Sequence, residues 1–300
     1  MKSIVTGGAG FIGSHIVDAL IKQGHEVIVL DTETSQVHES FYYNPRAKYF
    51  KLDVADYENT RPLYENTDFV FHCAAESRIQ PTLLNPLLTI RTNTLGTGTV
   101  LQCAREAGVK KVIYSSTSSG YGLKNTPPLK EDMPDDCLNP YSVSKVSGEK
   151  LCAMYTKLFG LKTITFRYFN VYGPREPLKG PYAPVVGLFL RQHAANEPLT
   201  IVPDGTQRRD FTHVDDVVQA NLLAMKIDDH EHYGEVFNVG TGKNHSVLEL
   251  ASMISTNIKM IEPRKAEAYI TLANSDKIQR VFGWNATKHI EDYIKNELSK

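Results

Sequence analysis

Tyr141 and Lys145 stand four residues apart, so on a helix they share one face. A free phenol ionises near pH ~10 and is a poor base at neutrality. An ammonium beside it favours the phenolate, and each unit of lowering corresponds to about 1.4 kcal/mol. Such a pair can take a proton from an alcohol, whereas on an exposed helix the same two residues do nothing. A run of hydroxyls, Ser115-Ser116-Thr117-Ser118-Ser119, follows the apolar stretch Lys111–Tyr114. Hydroxyls at a strand end often just satisfy turn N–H groups. In a parallel sheet that end faces the ligand cleft, where a hydroxyl can bond a reacting alcohol or ketone. Thr117 is the expected one of the five, although spacing alone does not select it.

A second constellation opens the chain: Ser3-Ile-Val-Thr-Gly-Gly-Ala-Gly-Phe-Ile-Gly13. A buried strand followed by Gly7, Gly10 and Gly13 on a tight turn and helix start sets backbone N–H groups and a positive helix end against a pyrophosphate. The next apolar run, Glu26–Leu30, ends in Asp31, at the distance expected for a carboxylate that accepts from a ribose 2′-OH. The pairing points to a dinucleotide site, and it moves Tyr141 and Lys145 from surface pair to candidate catalysts.

The elements that must position these residues follow from periodicity. Strands are expected at Ser3–Val5, Glu26–Leu30, Ala47–Leu52, Phe69–Cys73, Lys111–Ser115 and Lys162–Phe166. Helical period separates them at Ile12–Gln23, Leu87–Ala107 and Tyr141–Phe159. This alternation predicts an α/β fold with a parallel sheet covered on both faces. After Asn170 the chain becomes rich in proline and glycine around a helix at Val185–Asn196. Phe211–Met225 and Val236–Val239 are expected to return to the sheet. Ser246–Ile258 reads as a helix with Ser246 as N-cap and Glu249 completing a capping box, and Ile290–Leu298 as a terminal helix. Residues 1–169 with 211–239 are expected to form the dinucleotide domain, and 170–210 with 240–300 a smaller second domain. The cleft should lie between them.

The bulk composition narrows the partners. The 300 residues are 41% hydrophobic and 22% charged, with net charge −1, so neither nucleic acid nor an anionic membrane is expected as main partner. Four cysteines, Cys73, Cys103, Cys137 and Cys152, show neither CxxC nor zinc spacing and are expected to be reduced thiols. Met1-Lys2 leads straight into the first strand and no apolar run approaches membrane-spanning length; a soluble cytoplasmic protein is expected. His230-Glu231-His232 is expected to be a solvated loop rather than a metal site, and no metal is expected elsewhere. His72 and Trp284 are expected to pack, and Asp215-Asp216 to cap a helix.

Taken in order, Thr6-Gly7-Gly8-Ala9-Gly10-Phe11-Ile12-Gly13, the hydroxyl cluster before Tyr121-Gly122, Tyr141-x-x-x-Lys145 and Arg167-Tyr168-Phe169-Asn170 resemble the extended short-chain dehydrogenase/reductase family. Within it they are similar to nucleotide-sugar epimerases, especially the UDP-glucose and UDP-N-acetylglucosamine 4-epimerases. The resemblance implies a Rossmann-type doubly wound parallel sheet with a smaller discontinuous C-terminal α/β substrate domain, NAD as cofactor and a UDP-sugar as substrate. It gives Tyr141 the role of base at the sugar 4-OH, Lys145 that of holding the nicotinamide ribose and the phenolate, and Thr117 that of bridging to the same oxygen.

The same resemblance assigns the remaining contacts. Gly7, Gly10, Phe11, Ile12 and Gly13 would meet the cofactor diphosphate, and Asp53 and Val54 the adenine. Ala74, Asn93 and Tyr168 would lie on the nicotinamide side, with Ser115 a further cofactor contact. Asp31, with Glu33 near it, would repel a 2′-phosphate and favour NAD over NADP. Ser77 and Asn170 would touch substrate, Arg209 and Arg264 would clamp its diphosphate, and Val185 and Phe189 would flank uridine. Thr271 falls where family members admit or exclude a 2-acetamido group. Family 4,6-dehydratases carry an Asp-Glu pair after the catalytic threonine; here Ser118 and Ser119 stand there and lack that acid and base, although Ala74-Ala75-Glu76-Ser77 echoes those enzymes. A dehydratase, another epimerase or reductase, and a catalytically silent nucleotide-binding scaffold are the alternatives. The helices Leu87–Ala107 and Tyr141–Phe159 resemble the family's dimer helices, so a homodimer is expected.

Overall fold

Lys2–Thr6 (β1) sends Ile4 into one apolar layer and Val5 into another, the two-sided burial that a central parallel strand requires. A computed structural model describes residues 1–35, 38, 40–178, 183–228, 230–263 and 268–300. Around β1 stand Glu26–Asp31 (β2), Lys48–Lys51 (β3), Phe69–His72 (β4), Lys111–Thr117 (β5), Thr163–Tyr168 (β6) and Val236–Val239 (β7), in the order β7-β6-β5-β4-β1-β2-β3. Every pairing in this sheet is parallel. The order reverses at β1, so a crevice opens between the carboxyl ends of β1 and β4.

One face of the sheet is covered by Phe11–Lys22 (α1) and Val214–Lys226, through Ile16, Val17, Leu20, Val217 and Ala224. The other is covered by Gly96–Glu106 (α2) and Pro140–Phe159 (α3), through Val100, Leu101, Ala104 and Cys152. A third core, around Phe189, Leu199, Phe211, Leu250 and Ile294, holds the C-terminal layer together. Ile278, Phe282 and Trp284 pack into the sheet's own core, although they follow residue 240 in sequence. All four cysteines are free thiols. Among the described residues, no helix is long and apolar enough to cross a membrane.

Three expectations are corrected. The helix after Ser246 keeps its predicted capping box but runs only over Val247–Ser252; Ile258–Met260 is a strand paired with Leu199–Ile201. The long helix before Gly108 is assembled from Pro86–Thr89, a wider π turn at Ile90–Leu95, and α2. His213, not Asp215 or Asp216, caps Val214–Lys226. Asp216 instead accepts from the backbone and hydroxyl of Thr287 and the backbone of Lys288, while Trp284 Nε1 donates to the Asp216 carbonyl at 2.8 Å.

Candidate active site

The glycine turn is built so that its own backbone forms the cradle. Gly7 has φ +68°, and a Cβ there would lie 2.7 Å from Ala74 N; one on Gly13 would lie 2.2 Å from Gly7 O. No side chain caps α1 at Gly10, and Phe11, Ile12 and Gly13 of its first turn line a cleft of about 800 Å³. First-turn N–H groups and the positive end of the helix dipole would favour an anion there. At the end of β2, Asp31 accepts from Ala9 N at 3.0 Å and Glu33 N at 2.9 Å. These bonds oppose the upward push of burial on its carboxyl. They leave acceptor capacity for the paired hydroxyls of a ribose. These residues fit a dinucleotide.

The candidate catalytic side chains arrive from β5 and α3. Asn139 caps α3 in a box with Ser142, with Pro140 in the first turn, which fixes where Tyr141 enters the cleft. Gly148 lets α3 sit directly on the sheet: a Cβ there would fall 2.2 Å from Tyr114 Oη, which donates to the Lys145 carbonyl at 3.2 Å. Lower on the same helix, Glu149 takes a two-pronged bond from buried Arg167 at 2.9 and 2.6 Å. Ring, glycine and ion pair together set the helix in one position. Thr117 ends β5 and accepts from Ser119 N at 3.1 Å.

The electrostatics differ from the sequence expectation. Burial holds the Tyr141 phenol above its ordinary range; a hydrogen bond from Thr117 and the Arg78 charge pull it back. Lys145 has no resolved part in that balance. Its Nζ lies 4.3 Å from the centroid of the Tyr114 ring, and burial pushes its pKa down to about 8. Arg78 was not anticipated; it sits in the left-handed region at φ +75° at the start of the helix Ile79–Leu84.

Gly7, Gly10, Phe11, Ile12, Gly13, Asp31, Asp53, Val54, Ala74, Ser77, Ser115, Thr117, Tyr141, Lys145, Tyr168, Asn170, Val185, Arg209 and Thr271 all line the one cleft. Asn93 stands behind its wall: its amide exchanges bonds with the Glu76 backbone at 2.7 and 2.9 Å and donates to Ser144 Oγ at 2.9 Å. It positions the Ala74–Ser77 segment rather than facing the cleft. Phe189 is fully buried in the third core; Val186 and Leu188 face the cleft instead. Arg264 lies outside the described residues.

The two adjacent arginines divide their work. Arg208 is held by Glu249 at 3.0 and 2.9 Å, and Arg209 lines the cleft while donating to the Arg208 and Tyr269 carbonyls at 3.0 Å. Between them and the sheet, Asn170 donates to the Asp210 carbonyl at 3.1 Å and to Thr271 Oγ1 at 3.2 Å. Asp210, unnoticed in the sequence, is the hub: its buried carboxylate accepts from Thr241 N, Gly242 N and Ala273 N. Tyr168 Oη is fixed by Ser115 at 3.1 Å and Asn221 at 2.8 Å. His72 bonds Thr6 and Thr97 at 2.7 and 2.9 Å as a packed residue. His232 pairs with Glu235 at 3.0 Å, and no cluster among the described residues has metal-binding composition.

Known proteins are similar to this chain over most or all of its length. A putative UDP-glucose 4-epimerase of Methanocaldococcus jannaschii is 35% identical over 99% of this chain and 97% of its own. A UDP-N-acetyl-alpha-D-glucosaminuronate decarboxylase of Bacillus cytotoxicus is 39% identical over 84% of this chain and 79% of its own. The crystal structure of Thermotoga maritima UDP-glucose 4-epimerase with UDP-glucose superposes with TM-score 0.93 at 33% identity, covering 100% of this chain and 98% of that one. A single family model accounts for the span from the glycine cradle through β7, residues 3–240. The chain therefore belongs to the NAD dependent epimerase/dehydratase family.

Proposed function

We propose that the chain is an NAD-dependent UDP-sugar 4-epimerase, an isomerase that interconverts UDP-glucose and UDP-galactose, their N-acetyl forms, or both, through a transient 4-keto sugar. The observation that carries this reading is the convergence of Thr117, Tyr141 and Lys145 beside the glycine cradle, with serines at 118 and 119 where an eliminating enzyme needs an acid and a base. NAD would be held by the glycine cradle and Asp31 and would supply hydride-accepting and hydride-donating chemistry at C4. Tyr141 takes the 4-OH proton and later gives it back. Thr117 bonds the same oxygen and, by bonding the phenol, favours its ionised form. Lys145 brings an ammonium that holds the ribose beside that oxygen. Arg209 and Asn170 seat the diphosphate, Arg209 through the planar fork of its guanidinium, and Thr271 leaves room beside C2. In this reading residues 170–210 and 240–300 carry most of the sugar-nucleotide contacts.

We extend the proposal to a cytoplasmic homodimer. Free thiols suit a reducing compartment, and Leu84, Leu87, Ile90, Leu95 and Val143 are all exposed on the 83–95 segment and the start of α3, an apolar surface suited to a second copy. The function is tested by incubating purified protein with UDP-glucose, UDP-N-acetylglucosamine and UDP-glucuronate and resolving products by NMR and mass. Epimers of unchanged mass, formed without added reductant, support it. Loss of water or of carbon dioxide, or no turnover on any hexose, refutes it.

A further inference from the structure

The sheet order gives a dinucleotide in this cleft a direction. Thr117 ends β5, the glycine cradle follows β1, and Asp31 ends β2, in the order β5-β4-β1-β2-β3. Nicotinamide, diphosphate and adenosine ribose would take these places in turn. The next carboxyl end along the sheet is that of β3, where Leu52, Asp53 and Val54 line the cleft. The base would fall against them. Adenine presents a 6-amino donor, and Asp53 is the acid among the three. Its carboxylate is held from two sides: Oδ1 accepts from Ala55 N at 2.9 Å, and Oδ2 accepts from Arg91 Nη1. Each oxygen keeps a lone pair for a ligand.

Arg91 comes from the wide π turn Ile90–Leu95, a rare geometry that is frequent at functional sites. The next residue, Thr92, lines the cleft, and the one after, Asn93, holds the Ala74–Ser77 wall through Glu76. Glu76 also lines the cleft, and burial together with the Asp53 charge raises its carboxyl. A cation bonded to Asp53 offsets the repulsion between these two acids. As an ordinary surface pair Arg91 and Asp53 would contribute little, since their side chains are 51% and 28% exposed. Their place in the cleft gives the pair another use. We propose that Arg91 is a positioning residue for base selection, orienting the Asp53 carboxylate so that its remaining lone pairs meet the 6-amino group of adenine. The inference rests on NAD lying across the cleft and goes beyond the epimerase reading, which gives Arg91 no part. Hypoxanthine carries an acceptor in place of that amino group and a donor at N1. An oriented carboxylate rejects it, whereas a loosened one can turn toward N1–H.

The test is calorimetry of NAD and of nicotinamide hypoxanthine dinucleotide on purified full-length protein freed of nucleotide. Wild type, Arg91→Met, Arg91→Lys, Asp53→Asn and the double variant Arg91→Met with Asp53→Asn are compared. Wild type should prefer NAD at least about tenfold, the worth of one well-made hydrogen bond against its mismatch. Arg91→Met should narrow that ratio to about threefold or less, mainly by weakening NAD. Arg91→Lys, which keeps a cation, should hold the ratio within about threefold of wild type. In the Asp53→Asn background the loss of Arg91 should change the ratio by less than about twofold, because the two residues act as one unit. Arg91 is half exposed, so melting of its variants should stay near wild type. A ratio that Arg91→Met leaves unchanged overturns the proposal. So does equal weakening of both dinucleotides, or the same Arg91 effect with and without Asp53. A wild-type ratio retained by Asp53→Asn overturns the placement of the base as well. Binding is read without turnover, so a protein that epimerises no sugar would fail the epimerase reading and still decide the role of Arg91.

Discussion

Gly148→Ala tests how the catalytic helix is held. The added methyl would sit 2.2 Å from Tyr114 Oη, where ordinary contact begins at 3.4 Å, a shortfall of about 1.2 Å. Tyr114 cannot swing aside: it is fully buried, stacked on His72 at 5.4 Å, and bonded to the Lys145 carbonyl. Most of the displacement must therefore fall on α3. Overpacking of this kind costs about 1–3 kcal/mol, which for a chain of this size lowers Tm by on the order of 5 °C. The larger effect is on rate. Tyr141 and Lys145 both precede Gly148 on the same helix, and a shift near 1 Å costs about 100-fold in a reaction that depends on alignment. Coupled epimerase assays and thermal melts of the purified variant read both quantities, with UDP affinity as control. A variant that loses Tm but keeps wild-type kcat would show that Tyr141 is not positioned through the Tyr114 contact, and the reasoning would fall.

Four other outcomes are expected. Tyr141→Phe should lose about 10²–10⁴-fold in kcat while binding NAD as wild type does; retained activity refutes the base assignment. Arg209→Ala should weaken UDP binding about 10–100-fold, the range for charge-assisted bonds to phosphate. Arg208→Ala should change it little, because Glu249 already holds that guanidinium; the reverse ranking by calorimetry contradicts the division of roles. The His72 pKa is lowered from 6.5 to about 3 by burial, so between these values the unfolded chain binds a proton that the folded chain refuses. Stability should fall as pH drops through that window, by at most about 1.4 kcal/mol per unit, and a slope in urea melts that His72→Asn leaves unchanged would refute it. Leu87→Glu with Leu95→Glu should yield monomers by sedimentation, and an unaltered assembly state would contradict the proposed dimer surface.

Much of the sheet was legible because its strands carry their own signal. The six expected strands recur at their places; most are buried on both faces and read as continuous apolar runs, while Lys48–Lys51, at the sheet edge, is only partly buried. The glycine turn and Asp31 were legible because backbone geometry allows few residues there. What periodicity cannot carry is partnership across the chain. Ile258–Met260 continues a helical pattern yet pairs with Leu199–Ile201, a contact of long sequence separation. Phe189 lies on a helix whose period was clear, but the period does not say which side meets the cleft. Asn93 was assigned by motif, and only its bonds to Glu76 and Ser144 show that its amide is already spent. Spacing put Lys145 beside Tyr141, but the direction of its Nζ toward Tyr114 depends on a ring from β5. Arg78 and Glu176 come from irregular segments with no period to flag them. Only folding brings them to the same cleft.

The central claim is that one carbinol is oxidised and reduced again in place. UDP-glucose deuterated at C4 tests this most directly, followed by NMR and mass spectrometry in ordinary water without added cofactor reductant. The account predicts a C4 epimer that keeps its deuterium at C4 and its full mass. Deuterium washed out to solvent, or a product lighter by a water, would contradict it.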